Sequence, residues 1–417
     1  MPIREDVGAG VKDPKKMAPF KNCRSSKPTK MPAIRFLHTS DLHLGKRFGR
    51  YPEEVRAELQ QARQSVLGRI ATVAQAQQVG HVLIAGDMFD TETPSDRAQR
   101  QALAVMAQAG DLQWWIIPGN HDSAAAEPLW AGMARHAPEN VHLLLRPEPV
   151  EIEAGAYLLP APCLHRFVAQ DPTRWMDQCK TPQGALRIGL AHGGVLEFGS
   201  EETGAGVISP QRAVEAELDY LALGDWHGGF TLDARTRYSG SPEADRFKHQ
   251  GRGEVLLVTV SGGGAEPQIE SLPVGQFDWQ DTALEVVPNA DVTAQMRALL
   301  PSDRRDWPKT LLRLRAQGWI TAEQRLALAR EVSDLAPEFC HFEYDETALR
   351  SEHRIEDLDL IASGGALRAA AQDLMAQSQN TDLAQQERAV ATAALNRLYA
   401  YCQEQTAPEG QVSESKE

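Results

Sequence analysis

Cysteine is scarce in this chain of 417 residues, with five in all: Cys23, Cys163, Cys179, Cys340 and Cys402. Their number is odd and no two stand as CxxC, so neither a disulfide framework nor a thiolate metal site is indicated. Long apolar runs are missing as well. None approaches the roughly eighteen residues that a membrane span needs, and the first thirty residues are polar and lysine-rich without the apolar block of a secretory signal. Those absences point to a soluble cytoplasmic protein with no membrane association. Positive charge is not in excess: 43 Lys and Arg face 57 Asp and Glu, a formal charge of -14. Such a balance repels nucleic acid at long range and weighs against a free-standing DNA binder, unless metals, a local basic patch or a basic partner offset it. Internal repeats are absent too.

What is present is an ordinary globular composition, 42% hydrophobic and 24% charged, long enough for two or three domains. Residues 1–31 combine Gly, Pro, Lys and Ser without periodicity and read as a disordered leader, with Met31 as a natural start. From Ile34 a strand "IRFL" precedes a helical pattern through Val55, Leu59, Ala62, Val66, Ile70 and Val73. "HVLIAG" and "WWIIPG" follow as strands with a helix between them, a βαβαβ layout. "ALRIGLAHG", "LDYLALGDWHG" and "GEVLLVTV" add strands with longer connections, as in two sheets facing each other between helices. A break is read at "SGGGAEP". The expected units are a catalytic domain over 32–270, a smaller α/β capping domain over 271–362, helices over 363–405 and a loose tail over 406–417. Within the capping domain, Thr321 and Gln324 have capping-box spacing. Within the last helix, Val390, Ala394, Leu395, Leu398 and Cys402 form one apolar stripe.

Five apolar strands end in polar residues of one kind: "HTSDLHLG", "LIAGDMFD", "IIPGNHD", "GLAHGGV" and "ALGDWHG". Ligands of α/β sheets gather outside the carboxyl ends of strands, so five such ends can converge on one point. Together they offer Asp41, His43, Asp87, Asp90, Asn120, His121, Asp122, His192, Asp225 and His227, an oxygen and nitrogen set without thiolate that suits manganese, iron or magnesium. Any fragment alone has a bland reading. A lone DxH is a turn acid beside a surface histidine, GDxxD a helix cap, and a single histidine a satisfied core residue. All five in order, each at a strand end, are a far less common coincidence.

DxH at Asp41 to His43, GDxxD at Gly86 to Asp90, GNHD at Gly119 to Asp122, and the strand ends at His192 and at Gly224 to His227 resemble the ordered motifs of the calcineurin-like metallophosphoesterases. "HTSDLHLGKRF", "YSGSPEADRF" and the added C-terminal region are similar to the SbcD-type and YhaO-like DNA repair exonuclease subunits. The resemblance implies a two-sheet α/β sandwich flanked by helices and a site for two divalent ions, manganese foremost. Asp41, His43 and His227 would hold the first ion, Asp87 would bridge, and Asn120 and His192 would hold the second. His121 would act as the acid, its imidazole oriented by Asp90. This sequence departs from the family at Asp225, which stands where GHxH has a second-metal histidine; Asp225 is therefore a candidate ligand. The resemblance also implies DNA as substrate, a coiled-coil ATPase of the SbcC or YhaN type as partner, for which the helices over 363–405 are a candidate docking element if they do not pack on their own domain, and a homodimer within that complex.

Lys46, Arg47 and Arg50 follow the first motif, and Arg235, Arg237, Arg246, Lys248 and Arg252 surround the last strands. Of these, Lys46, Arg47, Arg237 and Arg246 are the candidates for holding a nucleic-acid backbone. Because Glu243 and Asp245 lie among them, a solvated mixed-charge face is the competing reading. Trp226 is a candidate base platform or a packing residue. Two other functions stay open: a phosphatase or phosphodiesterase for nucleotides or phosphoproteins, and a scaffold without activity.

Overall fold

The computed structural model describes residues 33–167, 170–195, 207–287, 290–352 and 365–406. The expected leader over 1–31 lies outside the described residues, as does the tail beyond Thr406. Two sheets organise everything else. The first holds β1 (Ile34–Thr39), β2 (His81–Ala85), β3 (Gln113–Ile117) and β4 (Val141–Leu143) in parallel, and the second holds β5 (Val150–Glu153), β6 (Ala156–Ala161), β7 (Leu186–His192), β8 (Tyr220–Gly224), β9 (Phe230–Thr231) and β10 (Thr236–Tyr238). The first sheet then grows on its other side through β11 (Gly251–Val260), β12 (Gln268–Val286), β13 (Thr310–Thr321) and β14 (His341–Glu352), giving the orders β14-β13-β12-β11-β1-β2-β3-β4 and β5-β6-β7-β8-β10-β9.

The alternation of each strand explains the layers. Ile34, Phe36, Leu83, Ala85, Trp115 and Ile117 face inward and meet Leu158, Ile188, Leu190, Tyr220 and Ala222 of the second sheet. Leu37, Val82, Ile84, Trp114 and Ile116 point the other way, under α1 (Glu53–Ala76), α2 (Asp96–Gln108) and α3 (Glu127–His136). The short α4 (Arg212–Glu215) closes the outer face of the second sheet, over Leu159, Leu221 and Leu223. This is the mixed α/β two-sheet sandwich that the strand pattern implied.

The expected division at residue 270 falls inside β12. That strand is 19 residues long. Its first half pairs antiparallel with β11 and its second half parallel with β13, from Gln268↔Thr259 to Val286↔Gly318. "SGGGAEP" is the turn of the β11–β12 hairpin, and the sheet continues from the site into the C-terminal region past a bulge between Pro273 and Asp278. There α5 (Val292–Leu299) and α6 (Ala322–Leu335) cover β12 and β13 around Leu284, Met296, Leu312, Leu314, Ile320 and Leu328, and the Thr321–Gln324 capping box opens α6. The final pair, α7 (Gly365–Gln379) and α8 (Gln385–Thr406), rests on α6 through Ala322, Leu326, Ala371, Met375, Leu395, Leu398 and Cys402. Most of the stripe on α8 is therefore spent inside the chain, while Val390 is exposed. No helix among the described residues is long and apolar enough to cross a membrane.

Candidate dinuclear metal centre

All five motif segments follow strands at the same edge of the sandwich, and their loops are tied to one another. Asp41 donates its N–H to Gly86, His43 to Asp87 and Leu44 to Met88, so the first two motifs zip together over distances of 3.1, 3.0 and 2.9 Å. Asp41, His43, Asp87 and Asp225 take left-handed backbone angles (φ 54°, 44°, 54° and 103°), a conformation that costs about a kcal/mol or more each and persists where the surroundings fix it. Beneath the first loop the buried guanidinium of Arg63 donates to the carbonyls of Leu42 and Glu243 at 2.6 and 2.5 Å. Asp122 is buried and accepts from Gly119 and Phe89 at 2.7 and 3.0 Å, stapling the third motif to the second. Glycine is required at two places: a Cβ on Gly119 would overlap the Asp87 carboxylate, and one on Gly224 would overlap the Ala85 carbonyl.

Ligand atoms converge in three overlapping groups, Asp41–His43–His227, His43–Asp87–His121 and Asp41–Asp87–His192, each drawn from atoms within 4.8 Å of one another. His43 Nε2 lies 3.0 Å from His227 Nε2 and 3.6 Å from Asp87 Oδ2. His192 Nε2 lies 3.6 Å from the same Asp87 oxygen and 3.7 Å from Asp225 Oδ1. Asn120 closes this second group, its Nδ2 3.2 Å from Asp225 Oδ1. Asp225 thus faces the site, and Asp87 stands between the two groups.

The charges argue for cations. Burial drives Asp87 up to about 6 and raises Asp225, while in Asp41 three neighbouring imidazoles outweigh burial and lower it. Burial pulls His192 down, but Asp87, Asp41 and Asp225 more than offset it and raise the imidazole to about 9. Without a metal, protons must gather where the carboxylates crowd. The His192 ring gives Nδ1–H to the Ala85 carbonyl at 2.8 Å, which turns Nε2 toward Asp87 and Asp225, where a cation that displaced its proton would find a lone pair; that nitrogen and Asn120 Oδ1 are buried without a hydrogen-bond partner. Unpaired buried polar atoms among crowded carboxylates are what divalent ions satisfy. The residues fit two ions, with Asp87 shared.

A sequence model of the calcineurin-like phosphoesterases matches residues 34–257. The chain belongs to this family. Its chemistry is phosphoester hydrolysis at a dinuclear metal centre, for which these ligand clusters are the counterpart. Among curated proteins, the SbcD subunit of nuclease SbcCD from Bacillus subtilis (strain 168) is 28% identical over 60% of this chain and 70% of its own. The uncharacterized metallophosphoesterase YhaO of the same organism is 26% identical over 63% and 65%. The SbcD subunit of nuclease SbcCD from Escherichia coli (strain K12) is 29% identical over 63% and 73%.

Within this phosphoesterase the supporting groups differ from expectation in two respects. The carboxylate of Asp90 stands 3.4 Å from His43 Nδ1, and His121 instead gives Nδ1–H to the Asp90 backbone carbonyl at 3.0 Å. His121 also approaches His43 edge to face, ring centroids 4.8 Å apart. Second, Asp245, which reads in sequence as one acid of a mixed-charge turn, is buried beside His227 Nδ1 at 3.1 Å. It accepts from Lys46 at 2.5 Å and from Arg246 at 2.9 Å. Burial raises the Asp245 carboxyl, but these partners and Arg63 hold it far below the usual carboxylate range. Two of the four candidate backbone-binding cations, Lys46 and Arg246, are therefore engaged. Arg47 is exposed, and Arg237 is half-buried with a guanidinium N–H on the Thr236 carbonyl. Trp226 has Lys248 over its ring at 4.6 Å and His249 against it edge-on. The one signal for Asp245 in the sequence was an acid inside "SPEADRF", close after the last motif, where flanking cations disguise it.

Proposed function

We propose that the protein is a dinuclear-metal-dependent phosphodiesterase that hydrolyses DNA, acting as the exonuclease subunit of an SbcCD-like repair complex in the cytoplasm. The observation that carries the reading is the pair of ligand groups joined through Asp87 at five strand ends. Asp41, His43 and His227 would hold one ion, Asn120, His192 and Asp225 the other. When bound, two such ions neutralise phosphate charge and make a water nucleophilic at neutral pH. Manganese suits a donor set of carboxylates, imidazoles and an amide without thiolate.

The chain's own groups complete the chemistry. Because the Asp90 carbonyl can only accept, His121 keeps Nδ1–H turned toward it and aims Nε2 away, so the imidazolium form donates Nε2–H to a leaving alkoxide. DNA as substrate is supported by the relatives named as nucleases. The net charge of -14 fits a division of labour in which an SMC-like coiled-coil ATPase supplies much of the DNA affinity. The engagement of Lys46 and Arg246 with Asp245 favours one second reading, a small phosphoester substrate that needs no basic rim. The deciding assay compares manganese-dependent hydrolysis of end-labelled linear duplex DNA with that of bis(p-nitrophenyl) phosphate, with and without the ATPase. Hydrolysis of the small diester with intact DNA under all conditions overturns the nuclease reading.

A further inference from the structure

His43 Nε2 and His227 Nε2 face each other across 3.0 Å, with ring centroids 4.7 Å apart. To share one cation, both nitrogens must present lone pairs, so each ring must carry its hydrogen on Nδ1. For His227 that choice is contested. Asp245 Oδ2 lies 3.1 Å from Nδ1 and can only accept, which requires Nδ1–H. Arg246 Nη2 lies 3.2 Å from the same atom and can only donate, which requires a lone pair there and sends the hydrogen to Nε2, into the metal position.

Burial decides between them. The Asp245 side chain is 1% exposed, whereas that of Arg246 is 43% exposed and already donates Nε–H to Asp245 Oδ1 at 2.9 Å. A buried carboxylate accepting from an imidazole makes the stronger, charge-assisted bond, and the solvated guanidinium has water as an alternative. We propose that Asp245 is a positioning residue that selects the Nδ1–H tautomer of His227 and so opens Nε2 to the ion shared with Asp41 and His43. The inference rests on the reading that these three residues hold one ion.

The same carboxylate reaches the other imidazole of that ion indirectly. Lys46, bound to Asp245 at 2.5 Å, is three residues past His43 on the same loop. One side chain thus fixes the orientation of His227 and tethers the loop that bears His43. The acceptor oxygen suffices for the orientation, but the negative charge is needed at the ion: Lys46, Arg246 and the neighbouring Arg63 converge on it, and a neutral group would leave three cations beside a divalent ion.

The test uses the full chain and two readouts, the tautomer of His227 by nitrogen-15 NMR of the metal-free protein and the two manganese affinities by calorimetry. Wild type is expected to show Nδ1–H. Asp245→Ala should shift His227 toward Nε2–H and weaken one ion about tenfold to a hundredfold, the other staying within about twofold. Asp245→Asn keeps the size and an acceptor oxygen; it should hold the tautomer and weaken the same ion about tenfold, which carries the test if the alanine variant does not fold. Arg246→Met and Lys46→Met should leave the tautomer unchanged. Unchanged tautomer and affinities in Asp245→Ala, unchanged affinities in Asp245→Asn, or a tautomer change in Arg246→Met instead would each overturn the proposal. Failure of the wild type to take up any ion would strike at the metal-centre reading, while the tautomer measurement still judges Asp245.

Discussion

Around Asp41, His43 and His227 an additional negative charge stands behind each imidazole, while around Asn120 and His192 the additional charge stands in front. His43 has the Asp90 carboxylate at its back and His227 has Asp245. His192 is backed only by the neutral carbonyl of Ala85, and the extra carboxylate of that half, Asp225, points straight at the ligand atoms. The two halves therefore use different means to the same end. A carboxylate behind an imidazole strengthens it as a donor without occupying a ligand position, whereas a carboxylate in front adds a hard oxygen and a full charge beside the ion. The Asp of the last motif thus falls in the half whose imidazole has no carboxylate behind it.

The severest break of this comparison is Asp87→Ala, which removes the group common to both halves. Both manganese affinities should fall by more than about a hundredfold, beyond the effect of a supporting residue, and metal analysis of the purified variant checks it. Loss of one ion alone would contradict the shared role. His121→Ala should cut the hydrolysis rate about 10²- to 10⁴-fold, as expected for a general acid, with metal content nearly intact. A drop in metal content would make His121 a ligand, for which its grouping with His43 and Asp87 gives it the geometry.

The two halves are told apart by Asp225→Ala and Asp90→Asn. Each should weaken a single ion about tenfold to a hundredfold, and not the same one, so the double variant should be additive in calorimetric titration. Asp225→His should retain both ions and lower the pH at which activity rises, because one negative charge fewer makes the ions stronger Lewis acids. A pH–rate profile that does not move would place Asp225 outside the ligand set.

The smallest effect serves as a reference outside both ligand groups. Arg212 on α4 is buried and holds Asp171 at 2.6 Å together with Asp177. Arg212→Ala should cost about 2 kcal/mol of stability in thermal or denaturant unfolding, with neither ion affinity changed. Burial raises the Asp171 carboxyl, but the Thr173 hydrogen bonds and Arg212 outweigh it and leave it below the usual carboxylate range. Its contribution is then complete above the unfolded value near pH 4 and is lost as pH falls below that, so wild type and variant should converge in acid.

The candidate ligands were legible because each motif is short and local: an apolar strand, then the polar residues that its tip carries. Asp41, His43, Asp87, Asn120, His192 and His227 needed no tertiary information to be collected. What escaped depends on rotamers or on distance along the chain. Asp90 sits in the right motif, but only side-chain geometry sends its carboxylate to His43 and its carbonyl to His121. Asp245 meets Lys46 across 199 positions, and neighbouring arginines make it look like part of a solvated turn. The boundary expected near residue 270 falls within a strand for a related reason. A glycine-rich turn looks the same whether it separates two domains or two strands of one sheet, and β12 is identified as continuous only by its partners on either side.

That continuity has a mechanical meaning. At about 3.3 Å per residue, the 19 residues of β12 make a beam on the order of 60 Å along its contour, clamped to β11 at one end and to β13 at the other. Between the terminal helices and the tip of β1, which delivers Asp41 and His43, the load path is thus a ladder of backbone hydrogen bonds rather than a tether. A push on α6 meets that ladder, and the bulge opposite Arg252 to Glu254, where β12 advances from Pro273 to Asp278, is a place where the strand bends. On either side of that bulge the sheet is continuous, so a twist of the C-terminal lobe would be passed through β11 to β1, whose tip carries Asp41 and His43.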